Sequence, residues 1–209
     1  MAVEIEIKLP NILVVEGKDE LNFFAELLRN QGIQGVQILN VAGKDNIGPG
    51  LKAIAKAPNF KSLVTKVGIV RDADDNFNET FGKIQAALRG ANLDVPTQPL
   101  VPTTGTPAVN VFICPALNTG GALEDLCIAS VQNDPAIKCV DDYVNCLVAQ
   151  KINSSKSVSK VKVQVLLASR VNGRGTPVRN MGEAALSKQW DWTQEAFADV
   201  KQYTLTTFG

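Results

Sequence analysis

Three stretches of this chain put carboxylates where chemistry is done rather than where a core is filled. The first is Val67-Gly68-Ile69-Val70-Arg71-Asp72-Ala73-Asp74-Asp75-Asn76, an apolar run that stops in three carboxylates and an amide. Alternate side chains of an extended chain share a face, so Asp72 and Asp74 are expected to point the same way with the small Ala73 between them. Carboxylates so placed repel each other unless a cation sits between them, and hard oxygens in that arrangement suit Mg²⁺ at roughly 2.1 Å. The second stretch is Glu16, which follows Asn11-Ile12-Leu13-Val14-Val15 and precedes Gly17-Lys18-Asp19. The third is Leu123-Glu124-Asp125-Leu126, entered through Asn118-Thr119-Gly120-Gly121. Each stretch also has a plain structural explanation. An Asp-rich turn caps a helix, and acids in a first turn complement the helix dipole. Asp75 reads as a cap for a helix beginning at Phe77, and Asp19 as the N-cap of the helix after Glu16.

The chain contains no histidine. That removes Ser-His-Asp and Cys-His catalysis, His-metal nucleases and most zinc sites, and leaves Asp, Glu and Lys as the acid-base groups. Carboxylates at adjacent strand ends can hold one or two Mg²⁺ or Mn²⁺ ions that bind a phosphodiester and activate water, which needs no histidine.

The elements that must position these residues are legible from period and punctuation. Asn11 to Val15 is a buried-strand run, and the following helix carries Leu21, Phe24, Leu27 and Leu28 on one face until Gly32. A strand from Gly35 to Val41 leads through Ala42-Gly43-Lys44-Asp45-Asn46 into a helix with Ile47, Leu51 and Ile54, where Pro49 is tolerable within the first turn. The full G-x-x-x-x-G-K-[ST] pattern is missing around Lys44, so this is not a nucleotide P-loop, and Lys44 is either a phosphate contact or a solvated lysine. After Asp74 a helix carries Phe77, Phe81, Ile84 and Leu88, and a loop rich in proline and threonine from Gly90 to Pro107 precedes a strand from Val109 to Pro115. The β-α-β-α-β-α-β alternation implies an α/β fold, a mainly parallel sheet with helices on both faces. Residues 1–133 are expected to form that domain and 134–209 a mostly helical extension packed on the same core. The extension should include a helix near Val140 to Val148, a partial turn from Asn180 to Ala185, and a last helix from Lys188 to Thr204.

Composition narrows the rest. The 21 acidic and 21 basic residues cancel, but from Tyr143 to Gly182 there is no acid, while Lys151, Lys156, Lys160, Lys162, Arg170, Arg174 and Arg179 fall there. Such a stretch suits phosphate contact, with Arg174 between two glycines, or balances an acidic site across a cleft. Met1 to Lys8 alternates apolar and charged residues and reads as an opening strand, without the layout of a signal peptide. No apolar run approaches the roughly 18 residues needed to cross a bilayer, so a cytoplasmic protein is expected. Cys114, Cys127, Cys139 and Cys146 form no Cys-x-x-Cys pair and read as reduced core thiols.

With Val15-Glu16-Gly17-Lys18-Asp19 at one strand end, Asp72-Ala73-Asp74 at another and Leu123-Glu124-Asp125-Leu126 after the fourth strand, the chain resembles a TOPRIM (topoisomerase-primase) domain. More narrowly it is similar to the stand-alone relatives grouped with the overcoming-lysogenisation-defect nucleases, over about Asn11 to Ala129. The resemblance implies a TOPRIM/Rossmann-like sheet with Glu16 as general base or metal ligand, Asp72 and Asp74 on Mg²⁺, and Glu124 on a second ion. It also implies a catalytic lysine beyond the acidic helix, for which Lys160 is the nearest candidate and Lys162 competes. Lys18, Lys44 and Arg174 are the candidate phosphate or nucleic-acid contacts. One hypothesis is thus a Mg²⁺-dependent nuclease or nickase acting on DNA or RNA. The other is a non-catalytic metal-binding module that works with a partner ATPase or defence protein. A weaker resemblance, to haloacid-dehalogenase-like phosphatases with Asp72 as nucleophile, fails at Asn76, where that family has Thr or Val.

Overall fold

In a computed structural model of the chain, which describes residues 5–152 and 157–209, four parallel strands form one sheet in the order β2-β1-β3-β4. They are β1 (Asn11–Val15), β2 (Val36–Asn40), β3 (Lys66–Asp72) and β4 (Ala108–Cys114). The register aligns Val14 with Leu39 and Ile69, and Asp72 with Cys114. Helices α1 (Lys18–Asn30), α2 (Ile47–Lys56), α3 (Phe60–Leu63) and α4 (Phe77–Gly90) make the crossovers. The expected α/β architecture is the observed one.

Strand alternation divides the core into two halves. Leu13, Val15, Val70, Phe112 and Cys114 face one side and pack with Phe23, Phe24 and Leu27 of α1 and with the helices after β4. Ile12, Val14, Val67, Ile69, Val109 and Val111 face the other and pack with Leu51 and Ile54 of α2 and Ile84 and Leu88 of α4. The helices after β4 are α5 (Leu123–Ala129), α6 (Ala136–Ala149), α7 (Val158–Ala168), α8 (Met181–Leu186) and α9 (Ala198–Phe208). Residues on both sides of position 133 share the first half of the core, Leu126 and Cys127 lying with Val163, Leu166 and Tyr203. The Tyr203 hydroxyl donates to the Ile69 carbonyl at 3.2 Å, and Gly68 makes this approach possible. A Cβ at Gly68 would lie 2.6 Å from Tyr203 Oη and 2.7 Å from Phe208 Cζ. Among the described residues no helix is long and apolar enough to cross a membrane.

Several local expectations give way to tertiary choices. Residues 5–8 are not a strand, and residues 1–4 of that expected element lie outside the described residues. Gly17, not Asp19, occupies the N-cap position of α1, because Asp19 is drawn away to accept a hydrogen bond from the Gly182 N–H at 2.6 Å. Asn76, not Asp75, caps α4, its Oδ1 accepting from the Glu79 N–H at 3.1 Å. The loop before β4 is not free of the sheet, since its Leu100 and Thr103 N–H groups donate to the Val111 and Val109 carbonyls at the sheet edge. Only Cys114 and Cys127 are core thiols; Cys139 and Cys146 are exposed. The reason is helical phase: α6 buries Ile137, Val140 and Val144, and positions 139 and 146 fall on the opposite face. The partial turn at Asn180 is the full helix α8, and the last helix begins at Ala198, with Trp190 and Trp192 buried in the segment before it.

Candidate functional site

The sheet order places the candidate carboxylates. β1 leads outward to β2, and the chain then crosses back over β1 to β3, so the order reverses between β1 and β3. In open parallel sheets that reversal leaves a crevice at the carboxyl ends of the strands. Glu16 directly follows β1 and Asp72 ends β3, so both lie at the crevice, and the Gly120-Gly121 turn brings α5 and Glu124 beside them. The turn docks by two backbone hydrogen bonds: Asp74 N–H to Gly121 O at 3.0 Å and Gly121 N–H to Asp74 O at 2.7 Å. Gly121 adopts φ +126°, and a Cβ there would lie 2.7 Å from Asp125 Oδ2, so a side chain at this position would force α5 away.

The resulting cleft has a volume of about 470 Å³, and its walls include Lys44, Asp72, Asp74, Glu124 and Lys160. A larger hollow of about 740 Å³ lies between the carboxyl ends of α2 and α4, lined by Lys52, Lys56 and Lys61, and holds none of the candidate carboxylates. The two aspartates of the Asp-x-Asp motif do not point the same way. β3 ends at Asp72, and Asp74 takes a left-handed conformation, φ +50°, which breaks the alternation the motif relied on.

Asp72 Oδ1 accepts from the Leu123 N–H at 3.0 Å. Burial raises its pKa well above the ordinary aspartate value, and Glu16, Glu124 and Glu20 push it further while the Leu123 N–H opposes them. Asp74 turns to Lys44 Nζ and Arg71 Nη2, each at 3.4 Å from its Oδ2. Glu16 Oε1 lies 2.7 Å from Arg71 Nε and accepts from the Asp72 N–H at 3.3 Å. Burial raises the Glu16 pKa, and Arg71 opposes the rise. Glu124, whose side chain is 9% exposed, pairs with Lys160 at 3.3 Å, and this attraction holds the lysine proton more tightly than usual.

Lys160, not Lys162, is the lysine of the cleft. Lys162 faces α6 and pairs with Asp141 at 2.6 Å. The rest of the basic stretch is partly spent in the same way: Arg170 pairs with Asp134, so acids just upstream fold back on it. Arg174 sits in an exposed loop, its N–H donating to Asn172 Oδ1 at 2.9 Å, and is not part of the cleft wall. Lys156 lies outside the described residues. Lys18 is exposed on the first turn of α1. Asp125, also on the cleft wall, accepts from the Ala122 N–H at 2.8 Å and from Ser159, which ties α5 to α7.

Two residues join the site that the motifs did not nominate. Glu20, one turn after Glu16 on α1, has its pKa raised by burial and then by Glu16, Asp19 and Glu124. Arg71 is the other, with only 8% of its side chain exposed. A signal for it was present: a guanidinium inside an apolar strand run is buried only if paired. Among the described residues no three Asp, Glu, Cys or His side chains stand close enough to hold a metal as they are.

The match that decides the family runs over residues 10–209. The chain belongs to DUF3226, a family described as a protein of unknown function. The match takes in the strand-end carboxylates and the helices after β4 together. No curated protein and no solved structure matches the chain.

Proposed function

We propose that this protein is a TOPRIM-like, Mg²⁺- or Mn²⁺-dependent enzyme of phosphoryl transfer, hydrolysing phosphodiesters in DNA or RNA. The observation that carries the reading is the desolvated Asp72, which sits with Glu16, Glu20 and Glu124 at the switch point of the sheet and has no ion-pair partner among the described residues. A cleft that gathers carboxylates at that cost to stability is built for a cation. The donor set fits a hard divalent ion in chemistry, all carboxylate oxygen. In this structure Arg71, Lys44 and Lys160 stand among those oxygens instead. Asp72 and Glu124 would hold the ion, with Glu16 and Asp74 on the other side of the cleft. When bound, such an ion supplies positive charge to a phosphodiester and lowers the pKa of water.

The chain's own groups do the remainder. Glu16, its proton affinity raised by burial and its carboxylate fixed by Arg71, accepts a proton from the attacking nucleophile. Lys160, released from Glu124, holds a phosphate oxygen by charge. Lys44 at the cleft wall and Lys18 at the start of α1 contact flanking phosphates, and Arg174 extends that contact beyond the cleft. The test is nicking of supercoiled plasmid and cleavage of labelled single-stranded DNA and RNA with Mg²⁺ or Mn²⁺, comparing wild type with Asp72→Ala. Metal-dependent cleavage lost in the variant is the expected result, and no cleavage by either protein overturns the reading.

A second reading has its own support, since Glu16, Asp74 and Glu124 each already contact a protein cation. In that reading the fold is a non-catalytic module that works with a partner ATPase. Metal binding without cleavage, with a partner retained by the Glu16, Asp72, Asp74 and Glu124 to Ala quadruple variant, would favour it.

A further inference from the structure

The cations that meet the candidate carboxylates are of two kinds, exposed lysines on the cleft wall and an arginine behind it. Lys160 is half exposed at 52%, on a flexible stem that can swing into water, so a stronger ligand for Glu124 can displace it. Arg71 cannot leave. Its side chain is enclosed on the α2 and α4 side of the sheet, with 8% of it exposed. Nη1 donates to the Lys44 carbonyl at 3.1 Å and Nη2 reaches Asp74 at 3.4 Å. Nε lies 2.7 Å from Glu16 Oε1 but off the N–H direction, so this contact is one of charge, and the buried Nε–H has no hydrogen-bond acceptor. The charge of a guanidinium so enclosed is offset by the two carboxylates on either side of it, with the Lys44 carbonyl as a further acceptor.

Strand alternation explains the division. Arg71 shares a face of β3 with Ile69 and meets Glu16, whereas Asp72 shares the other face with Val70 and meets Glu124 through the α5 turn. The carboxylates therefore form two half-sites back to back across the end of one strand, one behind the cleft wall with a fixed cation and one on the cleft with a movable cation.

We propose that Arg71 is a built-in cation that takes the place of a second metal ion between Glu16 and Asp74, so that the cleft accepts a single divalent ion, on the Asp72–Glu124 side. The inference rests on the metal-dependent reading above and sharpens it to a one-ion site with an arginine partner. Arg71 acts here as a positioning residue, holding Glu16 and Asp74.

The test counts ions on the full chain, by electron paramagnetic resonance of free Mn²⁺ and by calorimetric titration, with no substrate present. Wild type is expected to bind one Mn²⁺ and Arg71→Ala two, because Glu16 loses its cation and Asp74 keeps only Lys44, an exposed lysine that an ion can displace. Two ions on the wild type, or one on a folded Arg71→Ala, overturns the inference while leaving the metal reading standing. No bound ion on the wild type overturns the metal reading itself, and the inference with it. Asp74→Asn keeps the test decisive if Arg71→Ala does not fold: one ion retained within about 3-fold of wild-type affinity supports the inference, and loss of the ion overturns it.

Discussion

Replacing Asp72 with Asn should make the metal-free protein more stable at neutral pH, and the direction follows from the cleft. The amide keeps the shape and the oxygen that accepts from the Leu123 N–H at 3.0 Å, and removes only the charge. In the folded chain burial and the charges of Glu16, Glu124 and Glu20 hold the Asp72 proton well above the ordinary value of 3.8. Below that ordinary value Asp72 is protonated in both folded and unfolded chains and contributes no pH-dependent difference. As pH rises the unfolded chain releases the proton first, so the folded state loses stability relative to it until the raised value is passed. Each pH unit between the two values corresponds to about 1.4 kcal/mol.

We expect Asp72→Asn to gain at least about 1 kcal/mol at pH 8, as substitutions that relieve a strained functional site commonly do. For a chain of this size that is a rise in Tm of about 2 to 4 °C. The assay is differential scanning calorimetry from pH 4 to pH 8 with chelator, repeated with Mn²⁺. Near pH 4 the gain should shrink toward zero. Mn²⁺ at about 100 times its dissociation constant should stabilise wild type by about 2.7 kcal/mol. It should leave Asp72→Asn nearly unmoved. A variant no more stable than wild type at pH 8, or equally stabilised at pH 4 and pH 8, would refute the electrostatic reasoning.

Two further outcomes test the structure away from Asp72. Lys160→Met should lower cleavage by at least about 100-fold, while Lys162→Met, which removes only the pairing with Asp141 outside the cleft, should stay within about 2-fold by the small worth of surface ion pairs. Gly68→Ala should cost about 1 to 3 kcal/mol in urea unfolding because its Cβ meets Tyr203 and Phe208, whereas Gly82→Ala, on an open face of α4, should gain about 1 kcal/mol from helix propensity. Equal effects of the two glycine substitutions would show that α9 does not press on β3.

Much of the fold was legible because it follows from local periods. The short runs of apolar and small residues at 12–15, 67–70 and 111–114 suit strands covered on both faces, and the helices between them carry their stripes at the expected spacing. The caps were misjudged where side chains had longer-range offers: Asp19 goes to Gly182, leaving Gly17 at the head of α1. Cys139 and Cys146 look like core thiols by residue type, and only the packing of α6 on Ile137, Val140 and Val144 puts them outside.

The sequence by itself determined the chemistry available to this protein. An α/β chain with no histidine and with acids at its strand ends is confined to carboxylate and lysine chemistry, since residue type and strand period are local properties. Tertiary structure alone decided which of those groups meet. That β1 and β3 are neighbours is a matter of crossover direction, and it brings Glu16 to Asp72 across 56 positions of chain. The left-handed turn at Asp74, fixed by its pairing with Gly121, separates two aspartates that adjacency in sequence had joined. The choice of Lys160 over Lys162 depends on how α7 is rotated against α5 and α6, and Arg71 gains its place because Glu16 reaches it from the end of a neighbouring strand. These are long-range contacts, set by packing, and no period in the sequence encodes them.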